Sequence, residues 1–380
     1  MSKSVSPTER VLVPFFSLRG IVAVIGIVGM LGGVSKAQTQ GPSLRSDRQP
    51  IRVTVDPTYQ YYDSEEGGAL TQLSNSLAVF VPVTQRLSVR ARGAYARMDG
   101  SGLDPTQGLT DISGRLSYAQ PVGNGSIVFQ VRANAPTGKD ELTASELATT
   151  RPISQNFYDF RVTSFSRGSS IAPQVTWAVP LSDRLVVGIG GSYQYRRGFR
   201  PRERLSADYT PGDGVKVNGG MDYKITGSSA IGVNGTFRRY GEDTVGGVPR
   251  FDAGNQFSAT LRYLRRSGFT SIRVLAQYAS WEESRFGFRF GNPNRGQVIP
   301  EHGMLLSSYS ARLTNDLDLR VRVSGHWYGE TIQSDSKIFG RLYVSPAFEV
   351  GGGITLAPHG TAAYGSYVSL GGGLRIAGEF

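Results

Sequence analysis

The sequence predicts an all-β fold: a transmembrane, antiparallel, up-and-down β-barrel with short turns at one end and long loops at the other. Three observations carry that expectation. The composition suits strands rather than helices. Apolar and polar residues alternate along most of the chain, and the connections between the alternating stretches themselves alternate in length.

The 380 residues include 49 Gly, 18 Tyr and 18 Phe, and no Cys. Without cysteine there is no disulfide scaffold, Cys-ligated zinc site, iron–sulfur cluster or c-type haem attachment. Helical bundles draw on Ala, Leu, Glu and Lys. Here only 19% of residues are charged, and Lys is confined to positions 3, 36, 139, 216, 224 and 337, so that the net charge of +11 is carried by arginine.

Residues 1–37 read as a secretory signal peptide. Lys3, Arg10 and Arg19 precede an uncharged apolar run from Gly20 to Val34, and Ser35-Lys36-Ala37 supplies a small-x-small exit. The run is shorter than the roughly 18 residues a spanning helix needs, so cleavage is expected after Ala37, with export from the cytoplasm. Residues 38–50 form a polar periplasmic linker, long enough to enter a barrel from that end as a small plug.

Residues 51–380 form the expected outer-membrane barrel. Leu87, Val89, Ala91, Gly93 and Tyr95 point one way, while Ser88, Arg90, Arg92 and Ala94 point the other. Leu317 to Trp327 and Leu185 to Tyr195 alternate in the same way, the period of a strand with one apolar and one polar face. Short turns are expected near Thr84-Gln85, Gly123-Asn124-Gly125, Ser182-Asp183, Thr226-Gly227, Arg266-Ser267-Gly268, Asn315-Asp316 and Pro346. Longer polar segments fall near 64–70, 99–109, 140–168, 198–212, 241–252, 283–300, 330–337 and 358–364. Sorting connections by length is the pattern of an outer-membrane barrel. Counting between them gives about 16 strands, or 14 if those near 338–365 are merged. A soluble sandwich does not sort its loops this way, and no blade repeat of a propeller is present. A mean hydropathy of −0.22 is compatible with a barrel whose inward face is polar.

In the last strand Val368, Leu370, Gly372, Leu374, Ile376, Gly378 and Phe380 share a face. A strand closing on an aromatic resembles the membrane-insertion signal read by the bacterial barrel-assembly machinery, and Phe380 is its candidate. Tyr59, Tyr61, Tyr62, Tyr193, Tyr195, Tyr278, Trp281, Trp327 and Tyr328 lie near strand ends, where interfacial girdles belong.

If the apolar positions face lipid, their neighbours face the lumen. That assigns Arg90, Arg92, Arg115, Arg132, Arg238, Arg262, Arg273, Arg312, Arg320 and Arg322 to the pore lining, with Arg196, Arg375, Lys216 and Lys224. Fewer acids face inward: Asp111, Asp222, Asp318 and, on a looser strand assignment, Glu349 and Glu379. Such a wall favours anions. Segment 140–168 is the best candidate for an inward-folded constriction loop, opening with a short helix over Asp140–Ala148, although a surface loop reads equally well. The basic loop cluster Arg196, Arg197, Arg200, Arg202 and Arg204 suits the phosphates of lipopolysaccharide. The lipid bilayer and small solutes are the other expected partners, and nucleic acid is not one. A homo-oligomer stays open.

Catalysis finds little support. The three histidines, His302, His326 and His359, are far apart, and only His326 has a same-face hydroxyl nearby, Ser324. There is no G-x-S-x-G elbow, no phosphate loop and no metal-ligand spacing. No cofactor, metal or enzymatic activity is expected.

One stretch says more. Gly108-Leu109-x-Asp111, Tyr118 and Pro136-Thr137-Gly138 resemble a family of outer-membrane transporters linked to aromatic meta-cleavage (phenol-type) degradation, relatives of the long-chain fatty-acid channels. The resemblance spans 108–140, and the barrel-opening signature usual in that family is not matched. It implies small hydrophobic or aromatic cargo. The residues themselves point first to an outer-membrane, porin-like channel passing small solutes by diffusion through an arginine-rich, anion-favouring lumen. A transporter of hydrophobic or aromatic compounds is one alternative. A structural or interaction barrel, an adhesin or a sheath for an electron-transfer partner, is the other.

Overall fold

The computed structural model describes residues 50–380 apart from 65–67, 101–102, 154–159, 204–205 and 288–292. The signal-peptide and linker assignments therefore lie outside the described residues. By contacts the chain divides into Arg48–Glu379 and a second unit, residues 1–47 with Phe380. Of the second unit only Phe380 is described, and it is exposed.

In chain order the elements are β1 (Arg52–Ser64), β2 (Gly68–Pro82), β3 (Leu87–Gly100), β4 (Leu103–Leu109), β5 (Ile112–Val122) and β6 (Gly125–Ala135). Helix α1 (Ala144–Ile153) precedes β7 (Ser170–Pro180), β8 (Leu185–Arg196), β9 (Tyr209–Thr210), β10 (Gly214–Lys224) and β11 (Ser229–Tyr240). Then come β12 (Asp243–Val245), β13 (Val248–Asp252), β14 (Gln256–Ser267), β15 (Thr270–Trp281), β16 (Ser284–Phe286) and β17 (Asn294–Gly296). The chain ends with β18 (His302–Thr314), β19 (Leu317–Tyr328), β20 (Lys337–Glu349), β21 (Ile354–Gly365) and β22 (Val368–Glu379).

Sixteen of these strands form a closed antiparallel barrel. Each pairs with the next long strand, and β1 returns to β22 from Arg52↔Glu379 to Asp63↔Val368. Closure leaves no unpaired edge, the only β solution in hydrocarbon. At the seam the Arg52 guanidinium donates to Glu379 Oε1 from Nε at 2.8 Å and from Nη2 at 2.5 Å. The outward face exposes large apolar side chains around the wall, among them Val89, Phe129, Trp177, Ile189, Met221, Phe257, Leu305, Val323 and Leu370. A continuous apolar band of that kind is stable against lipid and not against water. At the long-loop end β9, β12, β13, β16 and β17 make a separate small sheet.

Six of the seven expected turns fall where alternation breaks, and the seventh does not. Pro346 lies inside β20, and the expected loop 358–364 lies inside β21. The β20–β21 ladder skips from Val344↔Gly360 to Phe348↔Leu356, which sets Pro346 opposite Pro358. Neither proline has an N–H to give, so the two share one gap and the strands run on. The turn comes later, at Gly351-Gly352-Gly353, where φ is 88°, 61° and 74°, values glycine adopts without strain. Segment 99–109 is also not a loop, because β4 pairs back on the far half of β3 from Gly100↔Leu103 to Tyr95↔Leu109. Two expected girdle residues, Tyr62 and Tyr328, are buried inside the barrel. Each adjoins an outward aromatic residue, and adjacent strand residues face opposite sides.

Candidate functional site

The interior is organised by a joint between β4 and β5. Leu109 ends β4 and Ile112 begins β5, and between them Thr110 and Asp111 leave the ladder. The Thr110 hydroxyl takes over from a backbone partner by accepting from the Ala94 N–H at 2.9 Å, and Thr137 Oγ1 accepts from the Ile112 N–H at 2.9 Å. Asp111 is thereby turned into the barrel. Its carboxylate accepts from the Gly138 N–H (3.0 Å), Asn134 Nδ2 (2.7 Å) and the Arg167 N–H (2.7 Å), while its own N–H donates to Phe165 O at 2.9 Å. Gly138 must be glycine here: a Cβ would sit 2.0 Å from Phe165 O and 2.7 Å from Asp111 N. The G-L-x-D and P-T-G residues therefore meet in space, and together they steer residues 160–168 into the barrel.

That inward segment is docked in three ways. Phe160, Val162 and Phe165 bury their side chains with Tyr62, Leu70, Met98, Phe339 and Tyr367. The Gln72 amide, fully buried, clamps the Val162 backbone by donating to its carbonyl at 2.7 Å and accepting from its N–H at 2.9 Å. Leaving either backbone group buried and unpaired would cost about 1–3 kcal/mol. Arg161 reaches Asp56 at 3.1 Å, and Arg375 meets the same oxygen at 3.1 Å. Upstream, α1 starts at Ala144 rather than Asp140. Thr143 and Glu146 form a capping box: Thr143 Oγ1 accepts from the Glu146 N–H at 3.2 Å, and Glu146 Oε2 accepts from the Thr143 N–H at 3.1 Å. Burial pushes the Glu146 carboxyl up, but the paired Lys139 ammonium and the Thr143 donors outweigh it and hold it below the ordinary carboxylate value.

Three cavities are lined by barrel residues, and the largest of the three also touches this docked segment. The largest, about 940 Å³, is lined from β1 round to β11 and by Ser166 and Arg167 of the inward segment. Arg90, Arg92, Arg115, Arg132 and Arg238 line it, joined by Arg52, Arg196 and Lys216, and no Asp or Glu is among its described lining residues. Arg312 and Arg320 line a cavity of about 470 Å³ near the β14–β15 turn, with Arg375 and Asp318. Arg262 lines one of about 330 Å³ and pairs with Asp222 at 2.6 Å. Arg322 lies over the Tyr343 ring, 5.2 Å from its centroid. Arg273 stands opposite Ser308 in the β15–β18 ladder and lines none of these three cavities. The ten sequence-assigned arginines are thus spread around the wall, with five gathered in one chamber.

Asp56 was missing from the inward acids, although the alternation of Val53, Val55, Pro57 and Tyr59 places it inward. Equally unforeseen is a ladder of rings at the long-loop end: His302 on Tyr328 (4.3 Å between centroids), His326 on Phe339 (4.7 Å), and Phe339 on Tyr367 (4.7 Å). The Ser324–His326 pair does meet, Oγ to Nε2 at 2.9 Å. His326 Nδ1 has no hydrogen-bond partner among the described residues, where a triad would place an acid.

No protein-family model and no curated protein matches the chain. Solved structures do. CdiB from Acinetobacter baumannii aligns with a TM-score of 0.50 at 11% identity over 87% of this chain and 60% of that one. An outer-membrane channel from Pseudomonas putida F1 gives 0.40 at 11% over 90% and 100%, and an anion-selective porin from Comamonas acidovorans 0.42 at 11% over 87% and 98%. The chain shares the outer-membrane β-barrel fold. At these identities the likeness is one of architecture alone, and the family resemblance over 108–140 has no family match behind it.

Proposed function

We propose that the chain is an outer-membrane channel that passes small solutes by diffusion and favours anions, with Arg90, Arg92, Arg115, Arg132 and Arg238 in the principal chamber and Arg262, Arg273, Arg312, Arg320 and Arg322 along the rest of the route. The chamber lined by eight Arg and one Lys without a carboxylate supports this reading. A cleft lined by one sign of charge between low-dielectric walls concentrates the opposite ion. The inward segment narrows the passage without filling it, since a cavity of about 940 Å³ remains beside it. In this reading residues 1–37 direct export and Phe380 serves insertion. Reconstituted into a planar bilayer, the folded barrel is expected to give discrete single-channel steps in KCl. A verified barrel that stays silent would contradict the proposal.

The ring ladder favours a second reading. Its stacked rings at the long-loop end, with Tyr328, Phe339 and Tyr367 packed against the inward segment, suit contact with small hydrophobic or aromatic compounds, the cargo that the 108–140 resemblance implies.

A further inference from the structure

Like charges set directly opposite one another in a sheet destabilise it. In this barrel Arg90 stands opposite Arg115, Arg115 stands opposite Arg132, and Lys216 stands opposite Arg238. All five line the same chamber of about 940 Å³, and no described carboxylate forms an ion pair with any of them. Their donors are largely unused. Lys216 Nζ reaches only Gln174 Oε1 at 3.4 Å, Arg238 only the Tyr240 hydroxyl at 3.5 Å, and Arg90 lies over the Phe80 ring. Arg115 and Arg132 donate to no described side chain or carbonyl, although each guanidinium carries five N–H donors. Wall potential alone would be served as well by lysine. A row of planar forks on neighbouring strands adds geometry, because each fork matches two oxygens of one oxyanion. Lys216 is three strands further round, about 14 Å along the wall at ordinary strand spacing, a gap that long side chains from both sides close.

We infer that Arg90, Arg115 and Arg132, with Lys216 and Arg238, form a discrete binding site for a small polyvalent oxyanion of the phosphate or phosphate-ester class. The inference deepens the channel reading and rests on it for the anion's route to the chamber. Binding itself needs no flux. Halide ions occupy single donors there, whereas an anion with several oxygens bridges forks from two or three strands and neutralises the row.

The test is titration calorimetry of the folded, detergent-solubilised full chain with inorganic tripolyphosphate in phosphate-free buffer. Each variant is first checked for heat-modifiable gel mobility, a sign of a closed barrel. One saturable site is expected, weakened about tenfold or more in Arg115→Gln and Arg132→Gln, as for loss of a charge-assisted hydrogen bond. Arg115→Lys and Arg132→Lys, which keep the charge and lose the fork, are expected to weaken it comparably. Arg86→Gln, in the exposed β2–β3 turn, is expected to bind as the parent does. Lysine variants that bind like the parent, or a folded barrel with no saturable binding, would overturn the site. Bilayer recordings separate the two proposals. A barrel that conducts chloride but binds no tripolyphosphate keeps the channel and loses the site, and one that binds but never conducts keeps the site and loses the channel.

Discussion

Asp56 faces two guanidinium groups with a single oxygen, Oδ2, 3.1 Å from Arg161 of the inward segment and 3.1 Å from Arg375 of β22. Its carboxylate is buried, whereas both arginines stay partly open to the interior. Breaking a fully buried pair costs about 3–5 kcal/mol. Solvent screening of the two cations lowers that here, so Asp56→Asn is expected to destabilise the barrel by about 1–3 kcal/mol. The same change frees Arg161, and trypsin is expected to cut there faster than in the parent. Unchanged melting and unchanged cleavage would mean that Asp56 does not hold the segment. Alternation along β1 is enough to place Asp56 inside, although the inward acids read from the sequence do not include it. Its partners were not legible, because Arg161 belongs to a segment with no period and Arg375 lies at the other end of the chain. The G-L-x-D and P-T-G residues show the same limit. As a motif they were visible, but that Asp111 receives the Gly138 N–H follows only from the register of β5 on β6.

At the scale of elements, strand existence and facing were readable wherever period-two alternation was unbroken. Errors gathered where one local signal has two physical meanings. Proline ends strands, yet Pro346 and Pro358 occupy one shared gap and end neither. Polar, glycine-rich 99–109 reads as loop, yet it completes a hairpin on β3. For α1 the decisive signal was the T-x-x-E box at Thr143–Glu146, which places the start at Ala144. Because the folded Glu146 carboxyl titrates below its ordinary value of 4.5, its contribution is fully present above that value and is lost as pH falls through the lower folded value. Hydrogen-exchange protection over residues 143–150, taken relative to the intrinsic exchange rate at each pH, is therefore expected to fall from pH 6 to pH 3. Glu146→Gln should be less protected at pH 6, and its protection should change little on acidification. Equal protection of the parent at both pH values would show that the cap does not hold the helix.

Across the whole molecule, the sequence carried the barrel and its strand count, since each is a sum over many weak, periodic signals, and it raised the expectation of inward positive charge. It could not carry where that charge concentrates. Arg90, Arg115 and Arg132 are separated by turns and loops in the chain and become neighbours only through the pairing of β3 with β5 and of β5 with β6. The interior is accordingly uneven: a cationic chamber on the β1–β11 side, and aromatic rings where β18, β19 and β20 meet the long loops. The most direct test of an arginine-governed anion path is the zero-current potential of the reconstituted channel across a KCl gradient. The potential is expected to lie toward the chloride equilibrium value in the parent and to move toward zero when Arg90, Arg115 and Arg132 are together replaced by Gln. A parent channel whose potential lies toward the potassium value, or one that the triple replacement leaves unmoved, would contradict it.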